Sequence, residues 1–213
     1  VSRFAQFLSD VAALRKLVAL EQAGPQVLLG HSFGGTVALR YLETEPEGLA
    51  GAIVSCPFLD VAMRVPAWKR LLARALVEVL PSLPIATGLD LAYLSTDPKV
   101  GQAARSDPLY HRVMTPRAYR EVLAAQAAVV AEGRHIRVPL LLLLAGDDRI
   151  VSRPASEAFG RSLTGDVTVR VYDAFYHEVF NETQRARVYR DVEPWLDRVL
   201  SAAAPGHALP SAN

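Results

Sequence analysis

The 213-residue sequence predicts an α/β fold, a parallel sheet flanked by helices and interrupted by a helical insertion. Three observations carry that prediction. The wholly apolar runs Gly51–Ser55 and Leu140–Ala145 read as strands buried on both faces, the pattern of a parallel sheet. Helical periodicities alternate with them at Ser2–Glu21, Pro154–Leu163 and Gln184–Leu200. The segment Gly30-His31-Ser32-Phe33-Gly34-Gly35 then joins the apolar run Val27-Leu28-Leu29 to a helix over Thr36–Glu43, which places G-x-S-x-G in a strand–turn–helix.

Taken in order, Phe4, Phe7, Leu8, Val11, Leu14 and Val18 recur at helical spacing, so Ser2–Glu21 reads as a helix that Gly24-Pro25 ends. Gln26–Leu29 is a short buried strand. The helix after the turn runs through Tyr41 and stops before Pro46. From Pro57 to about Arg137 the alternation ceases. Helical stretches at Trp68–Leu80 and Arg117–Ala131 are separated by joints at Pro81, Pro84, Pro98, Pro108 and Pro116. Trp68, Leu71, Leu72, Leu76, Val79 and Leu80 make a broad apolar face, most of it expected to pack on the body and part of it to roof an acyl pocket. Val167–Tyr172 alternates Val167, Val169 and Val171 as a strand does, and the loop Asp173–Asn181 carries His177. The last helix turns Val188, Val192, Trp195, Leu196 and Val199 inward. The expected organisation is a core in two parts (1–56 and 138–200), a helical cap insertion (57–137) and a flexible tail (201–213).

Composition excludes several classes. At 51% hydrophobic and 21% charged the chain is globular. A net charge of +1, with no basic run interleaved with aromatics, argues against a nucleic-acid partner. The solitary Cys56 forms no internal disulfide, and five scattered histidines give no metal-ligand spacing, so no metal site is expected. The longest apolar run, Pro139–Ala145, is too short to span a bilayer, and no secretory signal is visible. A cytoplasmic location with at most peripheral membrane contact is the default expectation.

The chemistry follows from the turn. A serine on a very tight strand–helix turn stands clear of the sheet edge, and glycine is expected on both sides because a Cβ there would strike the neighbouring strand and helix. The same turn aims the Phe33 N–H, at a helix N-terminus, toward the oxyanion of an acyl intermediate. A serine hydroxyl needs a histidine to take its proton and a carboxylate to orient that histidine. The order Ser…Asp…His is present: Ser32, then Asp147 and Asp148 after Leu140–Ala145, then His177 after Val167–Tyr172. His31 is expected to point elsewhere on the turn. His111 and His135 belong to the insertion and His207 to the tail. Position alone leaves Asp147 and Asp148 equal, with Asp173 a distant third. Cys56 follows a strand without a paired base and is expected to stand apart from the chemistry.

Five collinear segments add a resemblance. GHSFGG, Pro66–Arg70, Ser106–His111, Leu142–Val151 and Tyr176–Glu182 together resemble the monoacylglycerol lipase and lysophospholipase branch of the α/β hydrolases, from about Ser2 to Leu200. The resemblance implies an α/β-hydrolase fold and hydrolysis of a fatty-acid ester, monoacylglycerol or lysophospholipid, through an acyl-enzyme on Ser32, without a cofactor. It matches the family's histidine to His177 and, through the aspartate before Arg149-Ile150-Val151, its triad acid to Asp148. The family begins with strands and a His-Gly loop, source of a second oxyanion donor, that have no counterpart here. A complete chain would leave its nucleophile strand as a sheet edge prone to aggregation, so the chain is expected to be the C-terminal portion of a longer hydrolase. The alternative is a complete chain that covers the edge by self-association. Losing one oxyanion donor costs about a hundred- to a thousandfold in rate. The rival functions are a thioesterase, a small-peptide hydrolase, or a non-catalytic remnant of the fold.

Overall fold

The computed structural model describes residues 3–44, 47–62 and 75–203. Its strands are β1 (Gln26–His31), β2 (Leu49–Ser55), β3 (Ile85–Ala86), β4 (Val113–Met114), β5 (Leu140–Ala145) and β6 (Val167–Tyr172). Its named helices are α1 (Ala5–Glu21), α2 (Phe33–Leu42), α3 (Pro98–Ser106), α4 (Pro116–Glu132), α5 (Arg153–Ser162) and α6 (Ala186–Ala203). The central sheet has the order β1-β2-β5-β6, every neighbouring pair parallel, while β3 and β4 form a separate antiparallel pair in the insertion.

All six residues of β5 are buried, and the twofold period of a strand explains how. Leu140, Leu142 and Leu144 pack with Leu39 and Leu42 of α2, Val129 of α4 and Phe159 of α5. Leu141, Leu143 and Ala145 face the other way, into a cluster with Val188, Val192, Trp195 and Val199 of α6. Helices thus cover both faces of the sheet, which is why β5 reads as unbroken leucine. Each buried leucine stabilises the fold by roughly 1.5–3 kcal/mol. In β2, an added Cβ at Gly51 would lie 2.7 Å from the Trp195 ring, so glycine there lets the indole reach the sheet.

The first helix packs by only part of its apolar stripe. Phe4, Phe7, Leu8 and Val11 pack with Phe33, Val37 and Ala125, but Leu14 and Val18 do not join them. Those two line an open groove with Pro25, Val27, Leu28, Leu49 and Leu200. The groove lies beside β1, which is an edge strand among the described residues, paired only with β2. Leu29 on that edge is 54% exposed, as a residue of an open edge strand is.

The insertion also holds more regular structure than its prolines announce. Pro98 and Pro116 open α3 and α4, whose first amides are capped by the side chains of Asp97 and Thr115. Proline fits the first turn because the N–H it lacks would have no helical partner there. Pro66–Arg70 and the apolar residues Trp68, Leu71 and Leu72 lie outside the described residues. Of the remaining apolar face, Leu76 is half-buried, whereas Val79 and Leu80 are exposed and do not pack on the body. The last helix runs on to Ala203; 204–213, with His207, lie outside the described residues. Among the described residues, no helix is long and apolar enough to cross a membrane.

Leu142→Ala is expected to lower stability by about 2–5 kcal/mol through the cavity it leaves. Leu29→Lys, on the open edge, is expected to change it by less than about 0.5 kcal/mol. Urea denaturation midpoints compare the two directly.

Candidate active site

Because the sheet is parallel, the C-terminal ends of its strands share one edge, and the chemistry-bearing residues follow those ends. Ser32 follows β1, Cys56 follows β2, Asp148 follows β5 and His177 follows β6.

Ser32 sits at φ 53°, ψ −120°, outside the regions that residues with a side chain favour. Such a conformation costs of order 1–3 kcal/mol. It persists because both sides of its peptide are held. Ser32 N–H donates to Ser55 O at 2.9 Å, and Ser32 O accepts the Phe58 N–H at 3.0 Å. The Phe58 carbonyl is itself tied by the Thr36 hydroxyl at 2.7 Å and the Gln126 amide at 2.8 Å. At roughly 0.5–1.5 kcal/mol per bond this collar offsets the strain. Phe33 opens α2, so its N–H has no acceptor within the helix and is available to a ligand.

The glycines divide differently from expectation. A Cβ at Gly30 would lie 2.5 Å from Gly34 O and 2.8 Å from Ala38 Cβ, so α2 presses directly on β1 there. At Gly34, by contrast, an added Cβ meets nothing within 4 Å. The second tight glycine is Gly35, whose Cβ would lie 3.1 Å from Pro57. The close approach on the helix side is therefore to the loop after β2, one residue later than the expected pattern.

His177 and Asp148 meet as a buried pair. His177 Nδ1 lies 2.9 Å from Asp148 Oδ2, with the side chains 4% and 2% exposed. The other carboxylate oxygen, Oδ1, accepts the N–H groups of Ile150 and Val151, both at 2.9 Å. Burial works against ionising Asp148, but the His177 hydrogen bond and charge, with those two amides, outweigh it and hold its pKa below the ordinary carboxylate value. Asp147 turns away and pairs with Arg149 at 2.7 Å. The Arg149 guanidinium lies over the Tyr176 ring at 4.8 Å and the Tyr93 ring at 5.4 Å. The two aspartates, equal by position, thus have different partners. Asp173 is exposed.

Two residues depart from expectation by entering the site. The His31 ring lies beside that of His177, centroids 4.7 Å apart, with Nδ1 3.2 Å from Ser55 Oγ. The same β1 twist that lifts Ser32 turns the preceding side chain toward β2 and the histidine loop. Burial first, then the neighbouring His177, lowers the His31 pKa to about 4 against the opposing pull of Asp148. Cys56, at φ 43°, is also drawn in. Its Sγ, an Asp148 oxygen and a His177 nitrogen lie within 4.8 Å of one another. Burial, and next the Asp148 charge, push the thiol well above its ordinary pKa. This trio has the donor types of a soft-metal site, but its carboxylate is already shared between His177 and two amides. His31 was legible only as a neighbour of Ser32, and Cys56 as the residue closing a buried strand. Neither signal points to a partner far away in sequence.

The Ser32 hydroxyl makes no hydrogen bond among the described residues, to His177 or to any other group. His111 and His135 stay in the insertion, away from these strand ends.

A family model described as serine aminopeptidase, S33 (Hydrolase_4) matches residues 1–184. The phospholipase YtpA of Bacillus subtilis is 31% identical over 179 residues, 83% of this chain and 69% of that protein. A monoacylglycerol lipase of Mycolicibacterium smegmatis is 28% identical over 194 residues, 90% of this chain and 69% of its own length. Among solved structures, the monoacylglycerol lipase of Paleococcus ferrophilus superposes with a TM-score of 0.80 at 27% identity, covering 90% of this chain and 76% of that one.

Gly30→Ala is expected to lower stability by about 1–3 kcal/mol through overpacking. Gly34→Ala, open to solvent, is expected to hold or slightly raise it. Thermal melts of the two variants check the asymmetry. A second expectation concerns pH. An imidazole whose pKa falls from 6.5 unfolded to about 4 folded makes the unfolded state bind the extra proton in between. His31 should therefore cost the fold stability as pH falls from 6.5 toward 4. Urea midpoints across that range should fall more steeply for the parent than for His31→Gln.

Proposed function

The chain belongs to the serine aminopeptidase S33 (Hydrolase_4) family of α/β hydrolases, and within it we propose a serine hydrolase that cleaves the carboxylic ester of a fatty acid, a monoacylglycerol or a lysophospholipid. The observation that carries this reading is the buried His177–Asp148 pair at the strand edge shared with the strained Ser32. The lipase and phospholipase names of its relatives support the lipid ester. The stretch between β2 and β5 serves in this reading as the cap over the acyl chain, with 1–56 and 138–200 as the two parts of the core.

Asp148 holds His177 through Nδ1, which leaves Nε2 to take the Ser32 proton. Ser32 Oγ attacks the ester carbonyl carbon, and the resulting oxyanion receives the Phe33 N–H. The resemblance implies a second donor from a His-Gly loop. His177 returns its proton to the departing alcohol, leaving the acyl group on Ser32. Water, deprotonated by His177, then attacks the acyl carbon, and the carboxylic acid and free serine result. Asp148 stays ionised throughout, consistent with its lowered pKa.

A fluorophosphonate probe should label the chain, and Ser32→Ala should abolish that labelling. Asp148→Asn is expected to lower turnover by about 10⁴-fold, since it fixes the wrong tautomer of His177. Asp147→Asn loses only a half-exposed ion pair and should cost less than about tenfold. The opposite ranking would reassign the acid. A panel of monoacylglycerol, lysophosphatidylcholine, acyl thioester and aminoacyl anilide tests the substrate. Turnover confined to the anilide would overturn the lipid ester in favour of a peptidase.

A further inference from the structure

The loop that carries His177 is anchored on one buried carboxylate that the proposed mechanism does not use. Glu182 is 1% exposed. Its Oε1 accepts the N–H of Tyr176 at 2.7 Å and that of Thr96 at 3.0 Å. Its Oε2 accepts the Thr96 hydroxyl and, at 3.2 Å, the Thr183 N–H. Both oxygens are thereby occupied by neutral donors, and no cation pairs with Glu182 among the described residues. Tyr176 immediately precedes His177, whereas Thr96 lies in the insertion, so this one side chain bridges two segments far apart in sequence.

The bridge is the end of a longer seam. Tyr93 O accepts the His177 N–H at 3.4 Å, and Leu94 O accepts the Glu178 N–H at 2.7 Å. Ser95 Oγ donates to Asn181 O at 3.1 Å. Four consecutive residues of the insertion, Tyr93 to Thr96, thus run along the histidine loop from His177 to Glu182. Arg149 closes the other end, its guanidinium over both Tyr93 and Tyr176.

We propose that Glu182 is the positioning residue for His177, and that through it the insertion segment 93–97 sets where the imidazole stands. The proposal rests on the reading of His177 as the general base. Glu182 does not touch the reacting atoms; it holds the Phe175–Tyr176 peptide, one residue before His177. A buried carboxylate is a demanding way to fill space, because every lone pair must find a donor. What it supplies is a fixed geometry, and a misplacement of about 1 Å at a reacting group costs about a hundredfold in rate.

The test compares Glu182→Gln and Thr96→Val with the parent in the full chain. The glutamine has the shape of the glutamate but only one accepting oxygen, so one pair of donors faces an NH₂ group. Expected for Glu182→Gln is a fall in kcat of about tenfold or more with KM within about twofold. The pH at which kcat/KM half-develops should shift, and the downfield proton resonance of the His177–Asp148 hydrogen bond should move or broaden. Thr96→Val, which keeps the Thr96 N–H, should shift all three in the same direction by less. An active parent whose variants keep its kcat, pH profile and resonance overturns the proposal alone. So does a loss of activity that follows only the folded fraction measured by circular dichroism, with the pH profile unmoved. A folded parent that neither takes up the fluorophosphonate nor turns over any ester overturns the hydrolase reading itself, and the proposal with it.

Discussion

The backbone at Ser32 is held where a side-chain-bearing residue does not rest by choice, and the surrounding structure is arranged to hold it there. β2 supplies the Ser55 carbonyl, and the loop after β2 supplies the Phe58 amide. α2 starts at Phe33, its helical axis pressed against β1 at Gly30 so closely that no Cβ fits. Gln126 of α4 reaches across from the insertion to fix the Phe58 carbonyl in turn. Each of these groups is kept in place by the sheet core, in which the two faces of β5 are buried under different helices. The core leucines make no side-chain hydrogen bond, yet they determine how firmly the elbow can be strained.

Around that elbow the strand ends gather two kinds of group. Asp148 and His177 form a charge-supporting pair, sealed from water and fully hydrogen-bonded on the acid side. His31 and Cys56 lie against the pair without matching its chemistry: one imidazole is kept neutral, and one thiol is kept protonated. Their presence gives the site a polar but uncharged lining. In the proposed mechanism, a positive charge on His177 would then be answered by Asp148 alone, which concentrates its stabilisation on one partner.

Much of this was legible in the sequence, and the reasons for the exceptions are physical. β5 and β6 have the bounds that their leucine run and valine alternation set, because strand periodicity is local and both segments are short. The elbow likewise announces itself, since only its own residues make the turn. Asp147 and Asp148 could not be separated by position, because the difference lies in their partners: Arg149 for one, His177 for the other. Leu14 and Val18 show a related limit. Periodicity shows which face of a helix is apolar but not whether a neighbour reaches it, and here that face borders an open groove. The Asp97-Pro98 and Thr115-Pro116 pairs did carry a local signal, cap followed by first-turn proline, that marks the starts of α3 and α4. Glu182 carried none, for its donors come from residues 96, 176 and 183, and only the folded chain brings the first of these to it.

The strain at position 32 has a consequence for anyone who would engineer this protein. Glycine adopts that backbone without penalty, so replacing the serine relieves strain and removes the hydroxyl that the proposed mechanism uses, in one step. A library selected only for survival at high temperature would therefore drift, at this residue, toward molecules that lack the proposed nucleophile. Heat resistance and reactivity are opposed at this single position, and a screen for the first must carry a gate for the second.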